Sequence, residues 1–332
     1  MKTAIFQGNH YDIGQQAVAA FRNNPVLSSG YTFDEKLYKA QLDIYREYYP
    51  EILEELKGMV EGGGFEEKKL VFLFTCSEII FFTEMLKIPP GCTIYGIRNR
   101  NGAFVGRNYD WSPEAENQVA WLTWLNPEKN LYTGFTDLGA GSNTAEDTIN
   151  DKGLYIGLTF ASNHRWSYGI SNIHICRLVA ETCATVDEAL AVFERVPLCC
   201  PKNYFIADRY GDMAVVEHTS ERFKILYPKD GVLIQTNHYV DPELAEEDMA
   251  LQDMPLTDTY LRYYETLLKL NLQKDTLRYS NVIKLLTDPG SYVFHDNPAV
   301  RTLWSLALDM INSRHRVYWN LTGRRRTRLL EI

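Results

Sequence analysis

Gly91-Cys92-Thr93-Ile94-Tyr95-Gly96-Ile97-Arg98-Asn99-Arg100-Asn101-Gly102-Ala103-Phe104-Val105-Gly106-Arg107-Asn108-Tyr109-Asp110-Trp111 is the stretch whose reading decides the fold of this chain. It reads as two short strands joined at a turn containing Asn101-Gly102, a strong local signal for a β-hairpin. Counting back through a two-, three- or four-residue loop, Cys92 falls opposite Trp111, Asp110 or Tyr109. In every case a thiol, the Asp110 carboxylate and Arg107 are drawn together by local geometry. An arginine beside a cysteine favours the thiolate, which is the nucleophilic form.

Upstream of the hairpin, residues 1 to about 90 read as mainly helical. Apolar residues at helical spacing run from Phe33 to Leu56, and Pro50 suits the first turn of a second helix rather than the middle of one. Gly62-Gly63-Gly64 ends that helix, Leu70 to Leu86 forms the next, and Pro89-Pro90-Gly91 breaks the chain just before Cys92. Downstream, short runs with turn signals succeed one another from Cys92 to Gln235. Helices are expected at Asn172 to Cys183 and, behind the capping box at Thr185, at Val186 to Val196. Further helices follow near Asp258–Leu270 and Ser280–Leu286, and strands near Arg301–Leu308 and Arg316–Leu321. Runs of strands with grouped helices indicate an α+β layered domain rather than alternating βαβ units.

Composition narrows the function classes. The chain has 332 residues, 45% hydrophobic and 23% charged, with a formal net charge of −9. That balance speaks against nucleic-acid binding, which calls for a basic face. The one basic run, Arg324-Arg325-Arg326 with Arg328, reads as a solvated tail or a strand-edge device. No stretch approaches the ~18–20 consecutive apolar residues of a membrane span. Met1 to Phe6 is too short for the apolar core of a secretory signal, so cytoplasmic residence is the expectation. The six cysteines form no Cys-x-x-Cys pair and no zinc-type pattern with the histidines, so neither a metal nor a disulfide framework is expected.

A cysteine nucleophile needs a proton acceptor. Seven histidines are present, and no local motif ties any of them to Cys92. Asn237-His238 is the most suggestive pair for a papain-like arrangement, yet adjacent side chains on an extended segment diverge. A different base arises if the chain is cut between Gly91 and Cys92. The freed α-amino group has a reference pKa of about 7.7–8.0, suited to general base work near neutral pH.

Gly91-Cys92-Thr93 followed by Gly106-Arg107-Asn108-Tyr109-Asp110-Trp111 resembles the N-terminal-nucleophile (Ntn) hydrolases of the acyl-coenzyme A:6-aminopenicillanic acid acyltransferase family. More distantly, it resembles the choloylglycine hydrolases, which include penicillin V acylases and bile salt hydrolases. The resemblance extends to Gly8-Asn9-His10-Tyr11-Asp12-Ile13-Gly14, Glu55-Leu56-Lys57-Gly58-Met59, Asn150-Asp151-Lys152-Gly153-Leu154 with Gly157-Leu158-Thr159-Phe160, Thr236-Asn237-His238 and Thr302-Leu303-Trp304-Ser305. It implies an αββα four-layer sandwich of two stacked, mainly antiparallel sheets. Residues 1–91 would be a helical, propeptide-like leader retained on the catalytic part, and residues 92–332 the catalytic domain.

The resemblance also implies roles. Cys92 would be the nucleophile both of autoprocessing at Gly91-Cys92 and of catalysis. Asp110 would hold the freed α-amino group, Arg107 would support Asp110 and the thiolate, and Asn237 would donate to the oxyanion. A backbone N–H near Thr159 would be the second oxyanion donor; bile salt hydrolases often carry Asn there, so Thr159 departs from that pattern. Arg262 loosely resembles an arginine lining the choloylglycine hydrolase site.

Each residue also has an ordinary structural reading. Asp110 can simply end a strand with Arg107 as a surface ion-pair partner, Asn237 can be a turn residue, and Arg262 an exposed helix residue. The expected activity is cleavage of linear amides through an acyl-enzyme on Cys92, with hydrolysis as the default and acyl transfer as the variant. The expected partner is a small-molecule amide with an apolar acyl group. No cofactor is implied, since no phosphate-cradling glycine loop supports a coenzyme A site, and homo-oligomers are compatible with the sequence. The alternatives are a papain-like thiol hydrolase without processing and a non-catalytic small-molecule binder.

Overall fold

In the computed structural model, which describes residues 1–22, 32–84, 91–163, 165–250, 259–319 and 326–330, the central stretch is a hairpin of β2 (Gly91–Asn99) and β3 (Gly102–Trp111). Of the three registers open to it, the hairpin adopts the one with Cys92 opposite Tyr109. β11 (Val232–Gln235) flanks β2, and β12 (Arg301–Asp309), β13 (Arg314–Trp319) and β14 (Arg326–Leu330) continue outward from β3. This six-stranded sheet is antiparallel throughout.

The second sheet has eight strands, in spatial order β1 (Lys2–Gln7), β4 (Ala120–Leu125), β5 (Tyr132–Thr136), β6 (Asp147–Asn150), β7 (Tyr155–Phe160), β8 (Lys202–Ala207), β9 (Met213–His218) and β10 (Phe223–Leu226). Every pairing in it is antiparallel except β1 with β4.

The inner faces of the two sheets meet through a core that includes Ile94, Val105, Phe135, Ile149, Phe205 and Leu306. On the outer face of the eight-stranded sheet lie α5 (Asn172–Thr182) and α6 (Val186–Arg195), with α2 (Glu35–Tyr48), α3 (Pro50–Gly63) and α4 (Glu67–Glu84) packed into the same core. On the outer face of the six-stranded sheet, α8 (Thr259–Gln273) and α9 (Tyr279–Leu286) cover Tyr95, Ile97 and Val232 through Leu270 and Val282. α7 (Pro242–Ala245) is a single turn between β11 and α8. The order is therefore αββα, as the resemblance implies. Strands covered on both faces, such as β7 with all six residues buried, lose the polar alternation of a half-exposed strand.

The expectation of a mainly helical start needs one correction. Lys2–Gln7 is an edge strand, parallel to β4, and only Phe6 of its side chains is buried. Its partner lies far along the chain, so no local periodicity reports the pairing. The expected break at Pro89-Pro90 and most of the C-terminal basic run lie outside the described residues, although Arg326 and Arg328 fall in the edge strand β14. Among the described residues, no helix is long and apolar enough to cross a membrane.

Two of the quoted N-terminal segments meet where α1 (His10–Phe21) crosses α3. Asn9 caps α1 with a reciprocal bond to Asp12. A Cβ on Gly14 would stand 1.9 Å from the Glu55 carbonyl oxygen, and one on Gly58 2.1 Å from that of Tyr11, so the crossing requires glycine at both positions. Beside it lies a buried ionic network. Arg177 of α5 donates to both Glu55 oxygens at 2.7 and 2.8 Å. His10 lies 3.0 Å from Glu55 and 3.3 Å from Glu181. Tyr49 and Tyr132 each donate to Glu181 at 2.7 Å. Charges removed from water need such pairing.

Burial pushes the His10 pKa down, but hydrogen bonds and charges from Glu181 and Glu55 outweigh it and raise the value to about 9. A folded-state pKa above the unfolded one stabilises the fold below the unfolded value of about 6.5, and that stabilisation is lost as pH rises through the folded value. Urea unfolding of the wild type and His10→Gln across pH 6 to 10 should show their stability difference shrinking through about pH 9; a pH-independent difference would contradict the charged His10 assignment.

Candidate active site

Cys92 lies where the β2–β11 ladder runs out. The ladder pairs Ile94 with Gln235, and extending that register places Asn237 opposite Cys92. The strand stops short, and the Asn237 side chain takes over the role of a backbone acceptor. Its Oδ1 accepts the Cys92 N–H at 2.7 Å and Nη2 of Arg262 at 2.8 Å. Both of these neighbours can only donate, which fixes the amide orientation and leaves Nδ2 to donate to the Phe160 carbonyl at 3.0 Å. Arg262 also donates from Nη1 to the Cys92 carbonyl and, at 3.1 Å, to Thr93 Oγ1. Far from being an exposed helix residue, Arg262 is fully buried against the Gly91-Cys92-Thr93 backbone.

The pleat divides the cluster expected from the hairpin. Alternation puts Cys92, Arg107 and Tyr109 on the face toward the second sheet, while Asp110 and Asn108 point to the opposite face. Thiol and carboxylate therefore flank the Gly91-Cys92 peptide from two sides. Asp110 stands opposite Gly91, where a Cβ would come 3.1 Å from Asp110 Cβ and 3.3 Å from Oδ2, so glycine leaves the carboxylate room beside the backbone. Asp110 Oδ1 accepts from Thr302 Oγ1 at 2.5 Å. A β-bulge between Thr302 and Trp304 makes this possible, letting Thr302 face Asp110 while Trp304 faces Tyr109. Asp110 Oδ2 is buried, receives no hydrogen bond among the described residues, and has His295 Nε2 at 3.8 Å. Burial pushes the Asp110 pKa up against the lowering influence of His295 and Arg262.

Arg107 has a different carboxylate partner from the one expected. It is fully buried and bridges the two sheets to Asp147 of β6, with Nε 3.1 and 3.2 Å from its two oxygens. Tyr155 and Trp304 also donate to Asp147, at 2.7 and 3.0 Å. The Arg107 fork further donates to the Asn108 and Leu158 carbonyls, and the guanidinium hydrogen-bonds the Cys92 thiol. Burial nevertheless dominates at the thiol and holds its pKa above the ordinary cysteine value, with Arg107 opposing it. Sequence reading missed Asp147, although an acidic residue inside an otherwise strand-like run signals a buried partner.

The thiol borders a cavity of about 260 Å³ lined largely by apolar side chains such as Phe21, Phe74, Phe81 and Phe160. Trp111 borders it too, whereas Trp121, Trp124, Tyr132 and Phe135 are core residues. Thr159 is buried, and its hydroxyl donates to the Thr236 carbonyl at 2.5 Å, tying β7 to the loop that carries Asn237. His238 turns away from the thiol, lying 3.0 Å from Thr259 Oγ1 and stacking on Tyr260. Among the described residues no histidine hydrogen-bonds the Cys92 thiol.

The one group of potential metal ligands among the described residues is Glu78, Cys199 and Cys200. Glu78 there already accepts from Ser171 and Asn172 and pairs with Lys202 at 3.3 Å, which leaves its charge compensated without a metal.

Arg107→Met should cost about 3–5 kcal/mol in urea unfolding, because it leaves the Asp147 carboxylate buried without its cation. Adding Asp147→Asn should recover part of the loss. Purely additive losses would show that the pair does not act as a unit.

Comparison with known proteins agrees with this architecture. Residues 97–324, more than half of the chain, match the family model described as acyl-coenzyme A:6-aminopenicillanic acid acyl-transferase. The match takes in Arg107, Asp110, Thr159, Asn237 and Arg262 and begins just past Cys92. A 126-residue stretch, 37% of this chain, is 25% identical to the acyl-coenzyme A:6-aminopenicillanic-acid-acyltransferase 40 kDa form of Emericella nidulans and covers 35% of that protein's length. Among solved structures, a variant of the conjugated bile acid hydrolase from Clostridium perfringens superposes with a TM-score of 0.52 at 12% identity, over 72% of this chain and 92% of that one. The Caenorhabditis elegans ortholog of N-acylethanolamine-hydrolyzing acid amidase gives 0.50 at 16% identity, over 72% of this chain and 100% of that one. At these identities the structural likenesses establish a shared Ntn-hydrolase fold, and with the family match the conclusion is that the chain belongs to the acyl-coenzyme A:6-aminopenicillanic acid acyl-transferase family.

Proposed function

We propose that this protein is a cysteine amidohydrolase with acyl-transfer capacity, activated by its own cleavage between Gly91 and Cys92. The observation that carries the reading is the buried Oδ2 of Asp110, which accepts no hydrogen bond among the described residues and stands beside Gly91, with Asn237 and Arg262 holding the Cys92 N–H and carbonyl. A buried carboxylate oxygen without a donor is costly. An α-ammonium freed at Cys92 would supply that donor.

In the activating step the Cys92 thiol attacks the Gly91 carbonyl carbon, the peptide nitrogen leaves as the α-amine, and water hydrolyses the resulting thioester. In the catalytic step the α-amino group takes the thiol proton, and the thiolate attacks the carbonyl of a linear amide. The proton passes to the departing amine, and water or an acceptor amine then takes the acyl group from sulfur. Asn237 and a backbone N–H near Thr159 would stabilise the oxyanion, which requires Asn237 Nδ2 to release the Phe160 carbonyl. The cavity beside the thiol would take the acyl group, and its apolar lining suits an apolar stem. The names of the relatives, an acyltransferase and hydrolases of conjugated bile acids and N-acylethanolamines, support the C–N bond class. Residues 1–91 would remain with residues 92–332 after cleavage, since β1 lies in the eight-stranded sheet and Glu55 is bound to Arg177. Six unpaired cysteines suit a reducing compartment, so we place the protein in the cytoplasm.

Intact-mass measurement should find fragments 1–91 and 92–332 co-eluting under native conditions, and Cys92→Ala should give one full-length, inactive chain. In an amide panel, Asn237→Ala should lower kcat by roughly 10²–10³-fold. A full-length wild-type chain that turns over amides would instead favour a thiol hydrolase without processing. No turnover and no labelling of Cys92 by thiol-reactive probes would favour a binding protein.

A further inference from the structure

The cavity beside Cys92 is lined in part by acidic groups that the amidase chemistry does not use. Asp137 and Glu146 both line it, both are buried, and neither forms an ion pair among the described residues. Asp137 Oδ2 accepts from the Tyr109 hydroxyl at 3.1 Å, whereas Glu146 Oε2 is buried with no hydrogen-bond partner. Tyr109 is also the residue paired with Cys92, so it links the strand position opposite the thiol to Asp137.

The neighbouring cations pair with other carboxylates. The Arg107 guanidinium is bound to Asp147, and the Lys202 ammonium lies 3.3 Å from Glu78. The nearby hydroxyls are neutral: Thr136 hydrogen-bonds Glu146 and lies 3.0 Å from Thr144 Oγ1, and Ser142 Oγ lies 2.8 Å from Thr144 Oγ1, so none of them compensates a carboxylate charge. Burial pushes the Asp137 pKa up to about 6, and burial together with the charges of Asp137 and Asp147 pushes Glu146 well above the carboxylate range. An entering cation would reverse both shifts.

We propose that Asp137 and Glu146 form a cation subsite for an ammonium group carried on the acyl portion of the substrate, so that amides of amino-bearing acyl chains with an apolar stem are preferred. This rests on the amidase reading for what the ligand is, but the cation subsite can be tested without turnover. Two buried carboxyls in the wall of a largely apolar cavity discriminate strongly, because a neutral chain end leaves them desolvated and without a counter-charge.

Calorimetric titration of the uncleavable Cys92→Ala chain with hexylamine and with hexan-1-ol compares a cation with a neutral probe of similar shape. Hexylamine should bind at least tenfold more tightly, and Glu146→Gln, or Asp137→Asn should the first variant misfold, should cut that advantage at least fivefold. Equal affinities, or an advantage that survives in a folded variant, would overturn the proposal. In the wild-type enzyme, kcat/KM for the anilide of 6-aminohexanoic acid should exceed that for the hexanoic anilide at least tenfold, and a smaller ratio overturns it. Selective hexylamine binding without turnover of either anilide would sink the amidase reading and leave the cation subsite standing.

Discussion

The ion pair between Arg107 and Asp147 joins the two sheets beneath Cys92, and the geometry of the site depends on it. Both partners are fully buried, so each needs the other and its remaining polar neighbours to offset lost hydration. The shell is well supplied: Tyr155 and Trp304 donate to Asp147, while Arg107 spends its other donors on backbone carbonyls of both sheets and on the Cys92 thiol. Trp304 in turn stacks on Tyr109 at 3.9 Å, which fixes the aromatic floor beside the cysteine. A shift in one sheet would break several of these contacts together.

The N-terminal segment is part of the same structure rather than an appendage. Its first strand extends the eight-stranded sheet, its glycines let α1 and α3 cross closely, and Glu55 meets Arg177 in a buried network. Leu73, Phe74 and Phe81 of α4 line the cavity beside the thiol. Residues on both sides of Gly91-Cys92 thus build the space in which a substrate would lie.

Much of the fold was legible because its signals are local. The Asn101-Gly102 turn, the Thr185 cap, the glycine stop after α3 and the apolar runs of the strands each report a conformation within a few residues. β1 was not legible, since a weakly patterned edge strand takes its identity from a partner elsewhere in the chain. The site divides along the same line. Cys92, Asp110 and Asn237 stood out in the sequence and do converge on one peptide bond. Arg107 stood out as well, but its carboxylate partner came from β6, and Arg262 moved from an ordinary helix position to full burial.

By itself the sequence determined the hairpin, most of the helices and strands after β1, and the residue types able to form a thiol, a carboxylate and an amide acceptor around Gly91-Cys92. The tertiary structure alone decided which face of the pleat each one occupies, which carboxylate Arg107 binds, and that Asp137 and Glu146 end in the cavity beside Cys92. The physical reason is that turns and periodicities are set by neighbours along the chain, whereas charge pairing and desolvation are set by neighbours in space, and those exist only once the two sheets have closed on each other.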